Sequence, residues 1–237
     1  MITPSVLFPR PSTILLAWPK YALAGWTYTI TLLMTHQSSN PRIAAIVLAA
    51  GKSTRFGSTK MIAPINGKPL VQHALLAATR VCEGAVHLVV GHDSNAIVDA
   101  AADSGGEKLL YKTIVNERFA QGIGTSIAAG VRACRDHADA ILILLGDQAL
   151  ITGDHLLHLI NAWSGADTEI VASIFDEVRG PPILFPKKCF DDLEKLEGDA
   201  GAKVVMEDTQ YELRTVACRA AQFDVDNKDD LVRLGKY

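Results

Sequence analysis

The segment Ile43 to Lys60, IAAIVLAAGKSTRFGSTK, runs an apolar strand straight into a glycine-bearing loop that carries Arg55 and Lys60. Near Leu48, Ala49, Ala50 and Gly51 no bulky polar side chain blocks the backbone. A loop of this kind can turn its amide N–H groups toward a polyphosphate while the two cations neutralise it. A nucleoside triphosphate is the first ligand these residues suggest. The tetrapeptide Gly51-Lys52-Ser53-Thr54 looks like the end of a Walker A loop, but that motif needs a glycine five positions earlier, where this chain has Ile46. A dinucleotide fingerprint is also missing, since Gly51 has no partner glycine two or five residues later. An ordinary strand-to-helix turn with solvated charges is the competing reading of the loop alone.

Further segments offer complementary chemistry. In ILILLGDQ, Ile141–Gln148, an apolar strand ends at Gly146 and leaves Asp147 at its carboxyl end. A carboxylate there suits Mg²⁺, which usually takes one or two carboxylates plus phosphate oxygens. Capping of the following helix is the other reading of Asp147. The segment FDVDNKDDL, Phe223–Leu231, holds Asp224, Asp226, Asp229 and Asp230. Asp226 reads as a helix cap or as a second metal ligand, and spacing alone favours the cap. In NERFAQGIGTSIAAG, Asn116–Gly130, Gly122 and Gly124 lead into a helix with Thr125 and Ser126 in its first turn. Small residues and hydroxyls there suit close contact with a base or ribose, whereas a plain helix start would use Thr125 as N-cap. His155 and His158 read as solvated helix histidines, and His92-Asp93 as a turn. No G-x-S-x-G elbow lies near these histidines, so a covalent hydrolase is not supported.

These residues need a scaffold, and the pattern supplies one. Apolar runs at Ile43–Leu48, Ala85–Val90, Leu109–Val115, Ala140–Leu145 and Glu169–Ser173 read as strands. Between and after them, Pro69–Val81, Asn95–Ala102, Thr125–Asp136 and Gly153–Trp163 read as helices. A short strand at Ile183–Phe185, a charged segment Lys187–Glu197 and a short helical stretch after Gly198–Gly201 follow. Continuous apolar strands alternating with helices predict an α/β fold with a mostly parallel sheet covered on both faces. Ligands of such sheets bind beyond the carboxyl ends of the strands, where the loops after Leu48 and Leu145 both lie. The 237 residues, 49% hydrophobic and 21% charged, suffice for one such domain. A net charge of −3 with no Lys/Arg-rich run gives nucleic acid no basic field to bind. Cys82, Cys134, Cys189 and Cys218 are scattered without a CxxC pair, which reads as reduced buried thiols in a cytoplasmic protein rather than a zinc or redox site. Residues 1–41 differ: Arg10 and Lys20 are the only formal charges before Arg42, and the uncharged stretch Tyr21–Met34 is short for a membrane span. They read as an extension outside a domain spanning 42–237, with Met34 a candidate start of translation.

Taken together, LAAGKSTRFGSTK, GIGTSIAAG, LLGDQ, RGPPILF, LEGDAGAK and FDVDNKDDL occur in an order that resembles the MobA-like nucleotidyltransferases. The resemblance covers Ile43 to the C-terminus and is closest to the molybdenum cofactor cytidylyltransferase branch, through LAAG and GDQ. It implies a Rossmann-like three-layer sandwich of the nucleotide-diphospho-sugar transferase type. It implies transfer of CMP from CTP to a phosphorylated acceptor, molybdopterin, with Mg²⁺ as cofactor and with a molybdoenzyme or its chaperone as a partner. Leu48, Ala49, Ala50 and Gly51 would lie along the nucleotide, Arg55 and Lys60 would bind the triphosphate, and Gly124 with Ser126 would hold base or ribose. Asp147 and Asp226 would hold the metal, and Gly198–Lys203 would face the acceptor. Two departures, Pro181 in place of a histidine and Lys203 in place of an arginine, fall on the acceptor side. The alternatives are a different acceptor on the same catalytic frame, or an NAD(P)H-dependent oxidoreductase of the same fold.

Overall fold

Strand β1 (Ile43–Ala49) is buried along almost its whole length, because both faces of the strand meet helices. In the computed structural model, which describes residues 41–102 and 109–234, it is an inner strand of a seven-stranded sheet. The expectations for residues 1–40 lie outside the described residues. After β1 come a short hairpin, β2 (Pro64–Ile65) and β3 (Lys68–Pro69), and helix α1 (Leu70–Val81). Then β4 (Val86–Val90), α2 (Ser94–Ala102), β5 (Lys112–Val115) and α3 (Ile123–Cys134) follow. The chain continues through β6 (Ala140–Leu145), α4 (Gly153–Ala162), β7 (Glu169–Phe175) and β8 (Val178–Pro186). It ends with α5 (Phe190–Glu194), α6 (Lys203–Met206), β9 (Glu212–Ala217) and α7 (Lys228–Leu234).

The strand order is β5-β4-β1-β6-β8-β7-β9, and only β8 runs antiparallel to its neighbours. This is the expected α/β three-layer sandwich. Side chains alternate across the sheet. Ala45, Val47, Ala49, Leu88, Leu142 and Leu144 pack on the α1, α2 and α4 face. Ile46, Leu48, Val89, Ile141 and Ile143 pack on the face covered by α3, α5 and α6. Chain order reverses at β1, which lies between β4 and β6. Register places Ala49 beside Val90, and Leu48 beside Leu145, so the loops leaving β1, β4 and β6 open at one level. That is the position where open α/β sheets bind ligands.

Several elements differ from the sequence reading. The short strand expected at Ile183–Phe185 is the inner part of the nine-residue β8. It pairs with β7 through a turn in which Asp176 and Glu177 both have positive φ, 46° and 65°. Such a turn usually carries Asn-Gly or Asp-Gly, so Asp-Glu gave no hairpin signal. Helix α3 begins at Ile123, two residues earlier than expected, so Thr125 is inside the helix and is not its N-cap. Asp147 does not cap α4 either; Thr152 does, its Oγ1 accepting from the His155 amide at 3.3 Å.

His155 is also a correction. It is buried, and its Nε2 lies 2.8 Å from Ser173 Oγ, which itself donates to Pro182 O at 2.9 Å. The serine has one proton to give, so the imidazole is the donor in this contact and carries a proton on Nε2. His158 is exposed as expected. Burial first, and then the nearby His158, hold the His155 pKa below its usual value. The unfolded chain therefore binds the proton more readily, and stability falls as pH drops below about 6.5. Replacing His155 with glutamine should flatten part of that acid decline in urea titrations between about pH 7 and pH 5. A decline identical in both proteins would show that His155 does not contribute to it.

The four cysteines are all buried and free. Among the described residues no helix is long and apolar enough to cross a membrane.

Candidate functional site

The loop after β1 is pinned at several points. Ala50 O accepts from His92 N at 3.4 Å, Ser53 Oγ accepts from Lys60 N at 3.3 Å, and Thr59 Oγ1 donates to Asp93 Oδ2. Phe56, in the middle of the loop, drops into a small apolar cluster with Ile65, Leu70, Val225 and Leu234. That cluster couples the loop to the C-terminal segment, although the two are far apart in sequence. Lys60 opens a single 3-10 turn, Lys60–Ile62, and its side chain turns inward.

Lys60 Nζ donates to Asp147 Oδ2 at 2.5 Å and to Val225 O at 2.9 Å, and lies 3.7 Å from Asp226 Oδ1. Val225 N in turn donates to Asp147 O at 3.2 Å. One backbone residue thus ties the end of β6, the loop lysine and Asp226 together. Asp226 is free for this because the neighbouring Asn227 does the capping. Asn227 Oδ1 accepts from the amides of Asp229 and Asp230, and Asp230 Oδ2 accepts from the amides of Asp226 and Asn227. This reciprocal pattern is a capping box at the start of α7.

The Lys60 and Asp147 side chains are each only 13% exposed. In so dry a setting an ion pair counts for more than on the surface. Asp147 Oδ1 is buried and meets no hydrogen-bond partner among the described residues. A buried carboxylate oxygen left unpaired is costly, and a bound cation would satisfy it. Crowding by protein first, and the Asp147 charge second, push the Asp224 carboxyl up to about 6, against the opposing effects of Gln148 and Lys60. Asp147, Asp224 and Asp226 thus face Lys60 and Arg55 with negative charge in excess. Among the described residues no three His, Cys, Asp or Glu side chains group as a complete metal site. Two carboxylates with room for phosphate oxygens is the donor set that Mg²⁺ commonly uses, and these residues fit it.

A cavity of about 410 Å³ opens beside this pair, lined in part by Leu48, Ala50, Gly51, Lys60, Ser126 and Asp147. Its wall also holds Asp199, together with Lys52 and Phe119, to which the sequence reading gave no role. Lys52 was visible as a third cation in the loop. Asp199 belongs to the Gly198–Lys203 segment expected at the acceptor, whereas Phe119 carried no signal of its own, because only folding brings its loop to β1. Of the remaining expected residues, Ala49 is fully buried with its side chain in the core. Arg55 does not line the cavity; it is 79% exposed and pairs with Asp226 at 2.9 Å. Lys203 pairs with Glu207 on the surface at 3.5 Å.

Gly122 and Gly124 have a packing role that the sequence did not reveal. Gly122 has φ +115°, and a Cβ on it would come within 2.1 Å of the Gly198 carbonyl. A Cβ on Gly124 would lie 2.8 Å from Glu197 N, and Gly124 N donates to Gly198 O at 3.0 Å. The two glycines let the Glu197–Ala200 loop lie directly on the start of α3, which places Asp199 at the cavity. Gly122→Ala should destabilise the protein by at least about 2 kcal/mol through strain and clash. An unchanged urea midpoint for that variant would contradict this packing.

Comparison with known proteins bears on what this cavity does. Residues 45–215 match the model of the MobA-like NTP transferase domain. The chain is 30% identical over 176 residues to the purine catabolism protein PucB of Bacillus subtilis (strain 168), covering 72% of this chain and 83% of that protein. Its fold matches the crystal structure of Rv0371c from Mycobacterium tuberculosis H37Rv with a TM-score of 0.71 and 26% identity, over 84% of this chain and 100% of that one. It also matches a manganese complex of Rv0371c with a TM-score of 0.65 and 25% identity, over 82% of this chain and 98% of that one.

Proposed function

Because the chain belongs to the MobA-like NTP transferase domain family and is a nucleotidyltransferase of that kind, we propose that it moves CMP from CTP to the terminal phosphate of molybdopterin, with Mg²⁺ as its metal. The observation that carries this reading is the meeting of Lys60, Asp147 and Asp226, the first two in the wall of one cavity. The choice of CTP and of molybdopterin rests on the sequence motifs LAAG and GDQ.

In this reaction a phosphate oxygen of the acceptor attacks the α-phosphorus of the nucleotide. The bond from that phosphorus to the bridging oxygen breaks, and pyrophosphate leaves in line. The attacking phosphate monoester is already largely ionised near neutral pH, so no general base is required. That agrees with a cavity wall without a serine–histidine or cysteine–histidine unit. Catalysis reduces to holding the groups in line and neutralising charge. Lys60 reaches the polyphosphate from the cavity wall and stabilises the departing pyrophosphate. Lys52 and the exposed amides beside Gly51 add positive potential along the same path. Asp147 and Asp226 would hold the metal, which when bound offsets the charge growing on the phosphate oxygens. Ser126, at the start of α3, faces the nucleoside end, and Asp199 is placed to meet the acceptor.

The likeness to a purine catabolism protein favours a second reading, in which the same transfer serves a different phosphorylated acceptor. Nothing in the family match supports a nicotinamide cofactor. Incubation with CTP, GTP or ATP, each with Mg²⁺ and molybdopterin, separates the readings by product mass. The proposal expects a CMP adduct of molybdopterin with one pyrophosphate per turnover. Pyrophosphate release from GTP or ATP alone would overturn the choice of nucleotide, and none from any nucleotide would overturn the reaction.

A further inference from the structure

Asn116 sits just after β5, on a turn fixed by its own amide donating to Val90 O at 2.8 Å. The residue is only 6% exposed. Its Oδ1 accepts from Arg118 N at 3.0 Å, which fixes which end of the amide is oxygen. The two protons on Nδ2 are therefore both available, and each has one target. Nδ2 donates to Thr125 Oγ1 at 2.9 Å and to Ser126 Oγ at 2.9 Å.

The two hydroxyls then differ. Thr125 Oγ1 passes its own proton to a backbone carbonyl, Gly122 O at 2.9 Å or Arg118 O at 3.0 Å. Ser126 lines the cavity, and among the described residues its hydroxyl proton meets no acceptor. With one lone pair already taken by Asn116, the hydroxyl is set to give its proton toward the cavity. We propose that Asn116 is a positioning residue that makes Ser126 a hydrogen-bond donor to the nucleoside, so that the site selects a nucleotide presenting an acceptor atom, such as a base carbonyl or ring nitrogen, at that point. This deepens, and rests on, the nucleotidyltransferase reading of the cavity.

Replacing Asn116 with aspartate keeps the shape and reverses the chemistry. One carboxylate oxygen still accepts from Arg118 N, while the other now accepts the Ser126 proton and withdraws it from the cavity. The start of helix α3 tolerates the added negative charge. The test is a double-mutant cycle on binding of CTP, GTP and ATP with Mg²⁺, using Asn116→Asp, Ser126→Ala and both together. Each single change should weaken binding of the preferred nucleotide about five- to tenfold, the value of one hydrogen bond. The pair should be no weaker than Ser126→Ala alone, and the loss in Asn116→Asp should fall on KM far more than on kcat. Losses that multiply in the double variant would mean that Asn116 acts elsewhere, and would overturn the inference alone. So would wild-type affinity in Asn116→Asp. Failure of the wild type to bind any of the three nucleotides would overturn both the inference and the transferase reading. If Asn116→Asp does not fold, Asn116→Ala replaces it: it should weaken binding in the wild-type background and leave Ser126→Ala unaffected.

Discussion

Replacing Asp147 with asparagine is expected to cut turnover at least about a thousandfold while the protein stays folded. The side chain keeps its shape but loses the charge that two cations would share. Asp147 Oδ2 already serves Lys60, and Oδ1 is buried without a partner. Asparagine can offer an oxygen to only one of these roles, and its NH₂ repels a metal ion. Stability should fall by roughly 1–3 kcal/mol, because the Lys60 ammonium loses its short partner but keeps Val225 O and Asp226 nearby. Steady-state pyrophosphate release and a urea titration on the same sample separate the two effects. Activity within a few-fold of wild type would remove Asp147 from the site.

Lys60→Met should lower turnover about a hundredfold, the scale of one lost charged donor to the leaving group. A second effect follows from the same geometry. Lys60 sits where its ammonium lies beside both Asp147 and Asp226, so it competes with any cation for them. Without it, Mn²⁺ should bind the nucleotide-free protein about tenfold more tightly, since two like charges no longer share one pair of carboxylates. Electron paramagnetic resonance of free Mn²⁺ reads this directly. Lower turnover with unchanged Mn²⁺ affinity would place Lys60 on the phosphates only. Unchanged turnover would remove it from the reaction.

Much of the frame could be read from the residues. The apolar runs of β1, β4 and β6 are buried on both faces, so their strand character is written continuously in the sequence. Asp147 at the end of β6 and Lys60 after β1 followed from where such strands end. The less legible parts are those fixed by tertiary contact. Edge strand β9 alternates weakly because much of it is exposed, and the β7–β8 hairpin turns on two residues that usually avoid positive φ. The role of Val225 was hidden as well: its carbonyl and amide do the work, and backbone groups leave no mark in composition. Asn116 was part of a quoted motif, yet its meaning appears only when two hydroxyls nine and ten residues later fold back onto it.

The most direct measurement is the magnetic coupling between Mn²⁺ and the phosphorus nuclei of CTP on the protein, in the wild type and in Asp147→Asn. A metal held between Asp147 and the polyphosphate predicts a resolved coupling to phosphorus that disappears in the variant. The same protein-bound coupling in both proteins, or none in the wild type, would contradict the account.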